Sequence, residues 1–375
     1  MLNFLLINNN SILNEKLEEL KKADYISIDT ESDGLYSYED KLCLVQLETN
    51  GRIYIIDPLS VDMDYLKEIF ENKNIEKIFH SASSDISMIK KNTDCAFSNI
   101  FDTMIASKYI YKKAVSLSNI VKNYFKVELN KKCQKVNWGK RPLRIELLEY
   151  AAMDVYYLKK IRDIFREELI KMELLEEFKY TCEKISKTAK RMNNFYIEKY
   201  VSMAHSYNLE EMEFYIFLDI VKKREEIAKK INIPPFKIIT NELLVYISKH
   251  YDELLNAADI KLYNRSIIRN IDWIRRSINS VLKGERNYFN YNSSNNSIDY
   301  EYQDKFKNLK KWRRLVSEKT QIPCELIIET QILKRIAKHQ SLDIEKLKEL
   351  GVDEKRIEKY GFELLNFFNS LQKKE

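Results

Sequence analysis

The chain has 375 residues, of which 45% are hydrophobic and 32% charged, and a formal net charge of +6. This length exceeds one ordinary core and predicts two or three domains, while the apolar content excludes a disordered chain. No stretch reaches the roughly 20 apolar residues of a membrane span, and the first residues lack the basic start and cleavage site of a signal peptide, so a cytoplasmic protein with no membrane association is expected. Five scattered cysteines, Cys43, Cys95, Cys133, Cys182 and Cys324, show no Cys-x-x-Cys spacing. They read as ordinary thiols of a reducing compartment. From Phe214 onward Lys and Arg exceed Asp and Glu by about 8, leaving about −2 for the preceding part. The asymmetry points to a basic partner-binding module behind an acidic one.

In chain order, apolar runs at 23–29, 42–48 and 53–56 read as strands, 63–71 as a helix and 75–80 as a further strand. That order predicts a mixed sheet flanked by helices. From about residue 167 the pattern is helical throughout, and the few glycines and prolines, 6 and 5, fit short turns.

The first run ends in Asp29-Thr30-Glu31. Residues two apart on a strand share a face, so Asp29 and Glu31 can hold one cation between them. Asp85 follows the 75–80 strand. Asp154 falls in 145–165, where apolar positions recur at helical spacing, and Tyr150, four residues earlier, shares its face. Hard oxygen ligands without a His or Cys cage suit Mg²⁺ or Mn²⁺ better than zinc.

The order and spacing of these residues resemble the ribonuclease D group of 3′-to-5′ exonucleases, defined by three motifs carrying Asp, Glu, Asp, Asp and a Tyr. Motif one is Asp29-Thr30-Glu31, motif two His80-Ser81-Ala82-Ser83-Ser84-Asp85, and motif three Tyr150-Ala151-Ala152-Met153-Asp154. Phe101-Asp102-Thr103 and Trp138-Gly139-Lys140-Arg141-Pro142-Leu143 match supporting segments. The resemblance implies an α/β ribonuclease H-like exonuclease domain over residues 1–190, with the acids converging at the edge of the central sheet. It implies two divalent cations, Mg²⁺ or Mn²⁺, with Asp29 bridging both, Glu31 and Asp154 completing the site of the ion that activates water, and Asp85 holding the second ion largely through its waters. Tyr150, a phenol too weakly acidic for a good general base, would orient the attacking water. The implied substrate-binding set is Thr30, Gly34, Leu35 and His80. Gly34 and Leu35 would wedge against the last base, and His80 is read as a positioning residue at the strand end. Asp102 is read as the cap of the following helix.

Two C-terminal segments repeat with an offset of 89 residues: Arg224 pairs with Arg313, Ile233-Pro234 with Ile322-Pro323, Ile238-Ile239 with Ile327-Ile328, and Lys249-His250 with Lys338-His339. They resemble HRDC domains, small all-α modules. The expected layout is a helical linker at 191–209, a diverged first copy at 210–284, a flexible linker at 285–301 and a second copy at 302–375. The second copy keeps the closing pattern Leu350-Gly351-Val352, which the first replaces with Asp259-Ile260-Lys261. Lys222, Lys223, Arg224, Lys311, Trp312, Arg313 and Arg314 are offered as a phosphate-binding and stacking surface, with Trp312 equally suited to a core.

The resemblance covers nearly the whole chain and implies an exoribonuclease that releases nucleoside 5′-monophosphates from structured RNA with a single-stranded 3′ tail, such as tRNA precursors. No heptad run suggests a coiled coil and the repeats need no partner to close their cores, so a monomer is expected. Two alternatives remain open in the motifs alone: a DNA-directed exonuclease of the same chemistry, and a catalytically inert RNA-binding adaptor.

Overall fold

The computed structural model describes residues 2–130, 132–190, 195–256, 264–285 and 300–372. Its α/β part contains strands β1 (Phe4–Ile7), β2 (Tyr25–Ser32), β3 (Leu42–Thr49), β4 (Arg52–Ile56), β5 (Glu76–Phe79) and β6 (Ile100–Asp102). They form one sheet in the order β1-β4-β3-β2-β5-β6. Strand β3 runs antiparallel to β2 and β4, and the other pairings are parallel. Every residue of β3 is buried, as expected for an interior strand covered on both faces. The mixed sheet follows the sequence expectation; β1 and β6 are additional short strands, too brief to leave a periodic signal.

Helices α1 (Asn10–Lys21), α2 (Lys67–Glu71), α3 (Ala82–Asn92), α4 (Thr103–Tyr111), α5 (Leu117–Phe125), α6 (Ile145–Tyr156), α7 (Leu158–Lys171) and α8 (Leu175–Ser186) complete this part. Residues 145–165 are two helices rather than one. Tyr157 adopts φ −95° and ψ −11° at the junction, where its ring packs on Phe125 with centroids 4.9 Å apart, so no breaker residue announces the turn. Ala151 and Ala152 let α6 lie close across β2, β3 and β4.

Helix α9 (Ile197–Ser206) contributes Ile197 and Ala204 to a core shared with α10 (Glu211–Ile231), α11 (Pro235–Ile238), α12 (Asn241–Lys249), α13 (Tyr251–Asn256) and α14 (Arg265–Leu282). The last helices are α15 (Tyr300–Thr320), α16 (Cys324–Ile327), α17 (Thr330–Ala337), α18 (Ile344–Glu349), α19 (Glu354–Arg356) and α20 (Phe362–Gln372). The repeat is present in the backbone: α10, α11 and α12 begin 89 positions before α15, α16 and α17. Pro234 and Pro323 cap the second helix of each copy with φ −54°, and Ile239 and Ile328 end it extended. Arg224 Nη1 donates to the Ile239 carbonyl at 2.7 Å, and Arg313 Nη1 to that of Ile328 at 2.6 Å.

Both arginines are therefore buried braces, withdrawn from any phosphate, and Trp312 is 3% exposed, with its Nε1 donating to Glu363. Lys311 and Arg314 remain exposed on α15. Helix α18 closes in a Schellman turn, with Gly351 at φ +93°, Val352 N donating to Leu347 O and Gly351 N to Lys348 O. The counterpart 259–261 and most of the 285–301 linker lie outside the described residues.

The two copies dock on different sides of the motif-bearing part. The first meets the loop after β2: Tyr38 Oη donates to Glu225 at 2.6 Å, and Asn232 Oδ1 accepts from the Tyr38 and Glu39 amides. The second shares its core with the α/β part, and the buried Arg356 guanidinium bonds Glu177 of α8. Asp353 accepts from Tyr180 and from Lys184. No described helix is long and apolar enough to cross a membrane.

Candidate active site

Strand β2 pairs with β3 through Asp29↔Gln46 and Glu31↔Leu44, and the register slips between Glu31 and Ser32. Alternation puts Asp29 and Glu31 on one face, under α6. Asp154 descends from α6 to meet them, and one oxygen from each of Asp29, Glu31 and Asp154 lies within 4.8 Å of the others. β2 is an interior strand of the sheet. The acids thus gather at its C-terminal end rather than along the sheet edge, because α6 crosses there.

Asp85 sits in the first turn of α3 and accepts a 2.6 Å hydrogen bond from Thr30 Oγ1. It is close enough for its charge to act on Asp29, but stands outside the trio. The turn that carries it is held by Asp102. That carboxylate accepts from Ser81 N at 3.0 Å and Ala82 N at 2.8 Å at the start of α3, and from Met104 N at 2.8 Å and Ile105 N at 3.2 Å at the start of α4. Ser81 has φ +77°, a left-handed conformation costly for a residue with a side chain, and Asp102 offsets that cost. The expected cap of α4 is therefore present, and the same residue also caps α3.

His80 Nδ1 meets Thr103 Oγ1 at 2.9 Å, and this hydroxyl donates to the Phe79 carbonyl at 2.9 Å. With the hydroxyl proton used on the carbonyl, Nδ1 carries the imidazole proton. Burial pulls the His80 pKa down, favouring a neutral ring that braces the end of β5.

Burial, then the charges of Asp85, Asp154 and Glu31, hold the Asp29 carboxyl well above the usual range. Glu31 is raised by burial and then by Asp154 and Asp85. Burial pushes Asp154 up to about 7 against the hydrogen bond from Tyr150. Asp85 is likewise pushed up to about 7 by burial, against the lowering bond from Thr30. Carboxylates crowded this way either keep protons or gain a cation, so the donor set fits a divalent metal.

Tyr150 stays a phenol, because burial and the charges of Asp154, Glu31 and Asp29 push its pKa far above the ordinary value. Its ring lies 6.0 Å from that of buried Trp138. Arg141 fixes this segment: Nε and Nη2 grip Asp57 at 2.6 and 2.7 Å, Nη1 reaches the Trp138 carbonyl at 2.7 Å, and Nη2 that of Cys43 at 2.8 Å. A segment matched on sequence alone thus braces Tyr150 against β3 and β4.

The acids open into a cavity of about 370 Å³ lined by Asp29, Thr30, Glu31, His80, Tyr150 and Asp154, and also by Ser116, Ser118, Asn130 and Gln134. Sequence reasoning missed these last four, which come from loop and helix-start positions without periodicity. It also missed Gln46, which directly opposes Asp29, is fully buried, and has amide atoms with no hydrogen-bond partner among the described residues. Gly34 and Leu35 lie in the loop after β2 and are not among the residues lining the cavity.

Residues 5–170 match the 3′-5′ exonuclease family and residues 303–367, the second repeat, match the HRDC domain. The chain is 30% identical over 275 residues to ribonuclease D of Bartonella henselae, covering 71% of this chain and 65% of that protein. It is 28% identical over 254 residues to the exosome complex exonuclease RRP6 of Saccharomyces cerevisiae, covering 64% of this chain and 35% of that protein. The chain spans about a third of the length of the first curated relatives it matches. In fold, it resembles Escherichia coli RNase D, an exoribonuclease involved in structured RNA processing, with a TM-score of 0.68 at 20% identity over 96% of this chain and 99% of that one. A protein from Bifidobacterium adolescentis superposes with a TM-score of 0.74 at 18% identity, covering 98% and 97%.

Proposed function

We propose that this protein is a metal-dependent 3′-to-5′ exoribonuclease. The observation that carries the reading is the convergence of Asp29, Glu31 and Asp154 within 4.8 Å, with Tyr150 on the same cavity wall, inside the segment that matches the 3′-5′ exonuclease family. Asp29, Glu31, Asp85 and Asp154 would hold two divalent cations, Mg²⁺ or Mn²⁺. When bound, these acidify water and neutralise charge on the phosphodiester.

The chain's own side chains do the rest. Tyr150 stays protonated and orients the attacking water toward phosphorus, while its bond to Asp154 keeps that carboxylate in place. Water oxygen bonds to phosphorus as the bond to the 3′ oxygen of the preceding nucleotide breaks. A nucleoside 5′-monophosphate leaves, and the shortened strand regains a 3′-hydroxyl once its oxygen takes a proton. Thr30 holds Asp85, and His80 and Asp102 hold the turns around it. Gly34 and Leu35 would wedge against the last base from the loop after β2.

The backbone repetition supports reading 210–284 as a diverged HRDC copy beside the matched one. Together the copies would hold the body of a structured RNA while its 3′ tail enters the cavity, with precursor tRNA as the proposed substrate. The test compares a hairpin RNA bearing a 3′ single-stranded tail with the same sequence as DNA. Release of 5′-monophosphates from the RNA tail, stopping near the duplex, is expected. Equal or faster digestion of the DNA would move the assignment to a DNA exonuclease, and RNA binding without cleavage to an adaptor.

A further inference from the structure

A second cavity, of about 520 Å³, lies between α4 and α5. Its neighbour is the acidic cavity: Val115 and Asn119 line the new one, whereas Ser116 and Ser118, between them in sequence, line the acidic one. The connection into α5 is thus the partition between the two. Tyr111 and Tyr124 form the far wall, 36% and 41% exposed. Their hydroxyls bond each other, and both rings stand edge-on to Phe165 at 6.0 Å and 72°, so the rings are held in place before any ligand arrives. Asn119 and Asn123, one turn apart on a single face of α5, and Lys113 have side chains without a partner among the described residues. Among the described residues, no carboxylate lines this cavity.

A third cavity, of about 720 Å³, begins where the second ends. Lys113 and Ala114 line both, and its opposite wall is the second repeat, with Gln321 and Pro323. Lys112 donates across this boundary to the Gln321 carbonyl. The two carboxylates that line it among the described residues are already occupied, Glu318 by Arg314 at 3.4 Å and Glu325 by Lys108 at 2.9 Å. Fixed aromatic rings, free amides and lysines therefore lead from the far side of that partition to the second repeat.

We infer that the Tyr111–Tyr124 cavity is a subsite for an unpaired base of the strand upstream of the terminal nucleotide, and that the strand continues from there toward the second repeat rather than the first. A half-exposed tyrosine ring can stack on any base, the paired asparagine amides can bond base edges, and Lys113 suits a phosphate. The inference rests on the exonuclease reading, since only a strand whose 3′ end lies among the acids would cross this partition.

Binding reads the subsite independently of cleavage. In an Asp29→Asn background, fluorescence anisotropy compares a labelled RNA dinucleotide with an octamer, with and without Tyr124→Leu, Asn123→Ala and Lys113→Gln. The octamer-to-dinucleotide affinity ratio should fall about tenfold with Tyr124→Leu, and less with each of the other two. An unchanged ratio with all three would overturn the subsite. With 4-thiouridine at successive octamer positions, ultraviolet adducts should appear in α5 and then in α15–α16; adducts in α10–α12 instead would overturn the path. If the unmutated chain fails to shorten any RNA, the exonuclease reading fails, while the binding ratio still decides the subsite.

Discussion

Thr30 donates a 2.6 Å hydrogen bond to Asp85 across 55 positions of sequence, tying the strand that carries Asp29 and Glu31 to the helix that carries the fourth acid. The bond also has an electrostatic effect: burial lifts Asp85 to about 7, and Thr30 works against that rise. Thr30→Val should push the Asp85 pKa further up and leave more of it protonated at neutral pH. The expected outcome is a roughly tenfold loss of kcat/KM at pH 7 that shrinks by pH 9, with Thr30→Ser restoring the profile. A pH-independent loss would mean that the hydroxyl only shapes the fold.

Asp154→Asn should separate stability from activity. An aspartate raised from its ordinary 3.8 to about 7 favours the fold while protonated, and that contribution fades as pH rises from about 4 through about 7. At pH 8 the metal-free protein therefore carries a cost that an asparagine removes. Thermal unfolding at pH 8 in chelator should show the variant higher by roughly 2–4 °C for each kcal/mol relieved. The same variant should lose at least about a thousandfold in turnover if Asp154 holds metal.

Metal binding should release protons near neutrality. Asp85 and Asp154 are both held near 7, and a cation binds their ionised forms. Titration calorimetry with Mn²⁺ in buffers of different ionisation heat should show proton release at pH 6 that disappears by about pH 9, with affinity rising over the same interval. Proton uptake, or affinity independent of pH, would contradict the assignment of these carboxylates.

The sheet and the Asp29–Glu31 pair were legible because β2 and β3 carry apolar runs and alternation fixes which residues share a face, while the arrival of Asp154 beside them was legible only through the resemblance. The relation of Tyr150 to Asp154 followed from helix spacing alone. The break at Tyr157 was not legible, because a packed aromatic rather than a Gly or Pro ends α6. Nor was the burial of Arg224 and Arg313: a basic residue on a helix reads as surface until its partner carbonyl, 15 positions away, is placed. The walls supplied by Ser116, Asn130 and Gln134 depend on how two loops fold over the acids, which no periodicity encodes.

Asp102 supports two helix starts at once, so its loss should exceed an ordinary cap. A single N-cap replacement by alanine costs about 1 kcal/mol, and two together about 2 kcal/mol or more. Asp102→Ala should lower the denaturation midpoint accordingly and weaken metal binding through displacement of Asp85. Thr103→Ala, which removes the His80 contact but leaves both caps, should cost less. Equal effects in urea unfolding would place the importance of this segment elsewhere.

The most direct test of the exonuclease account is digestion of a 5′-labelled RNA with a single-stranded 3′ tail, in Mg²⁺, Mn²⁺ or chelator, by the native chain and by Asp29→Asn. The account predicts a ladder shortening from the 3′ end that requires the metal and vanishes in the variant. Internal cuts, a ladder that persists in chelator, or one that survives Asp29→Asn would contradict it.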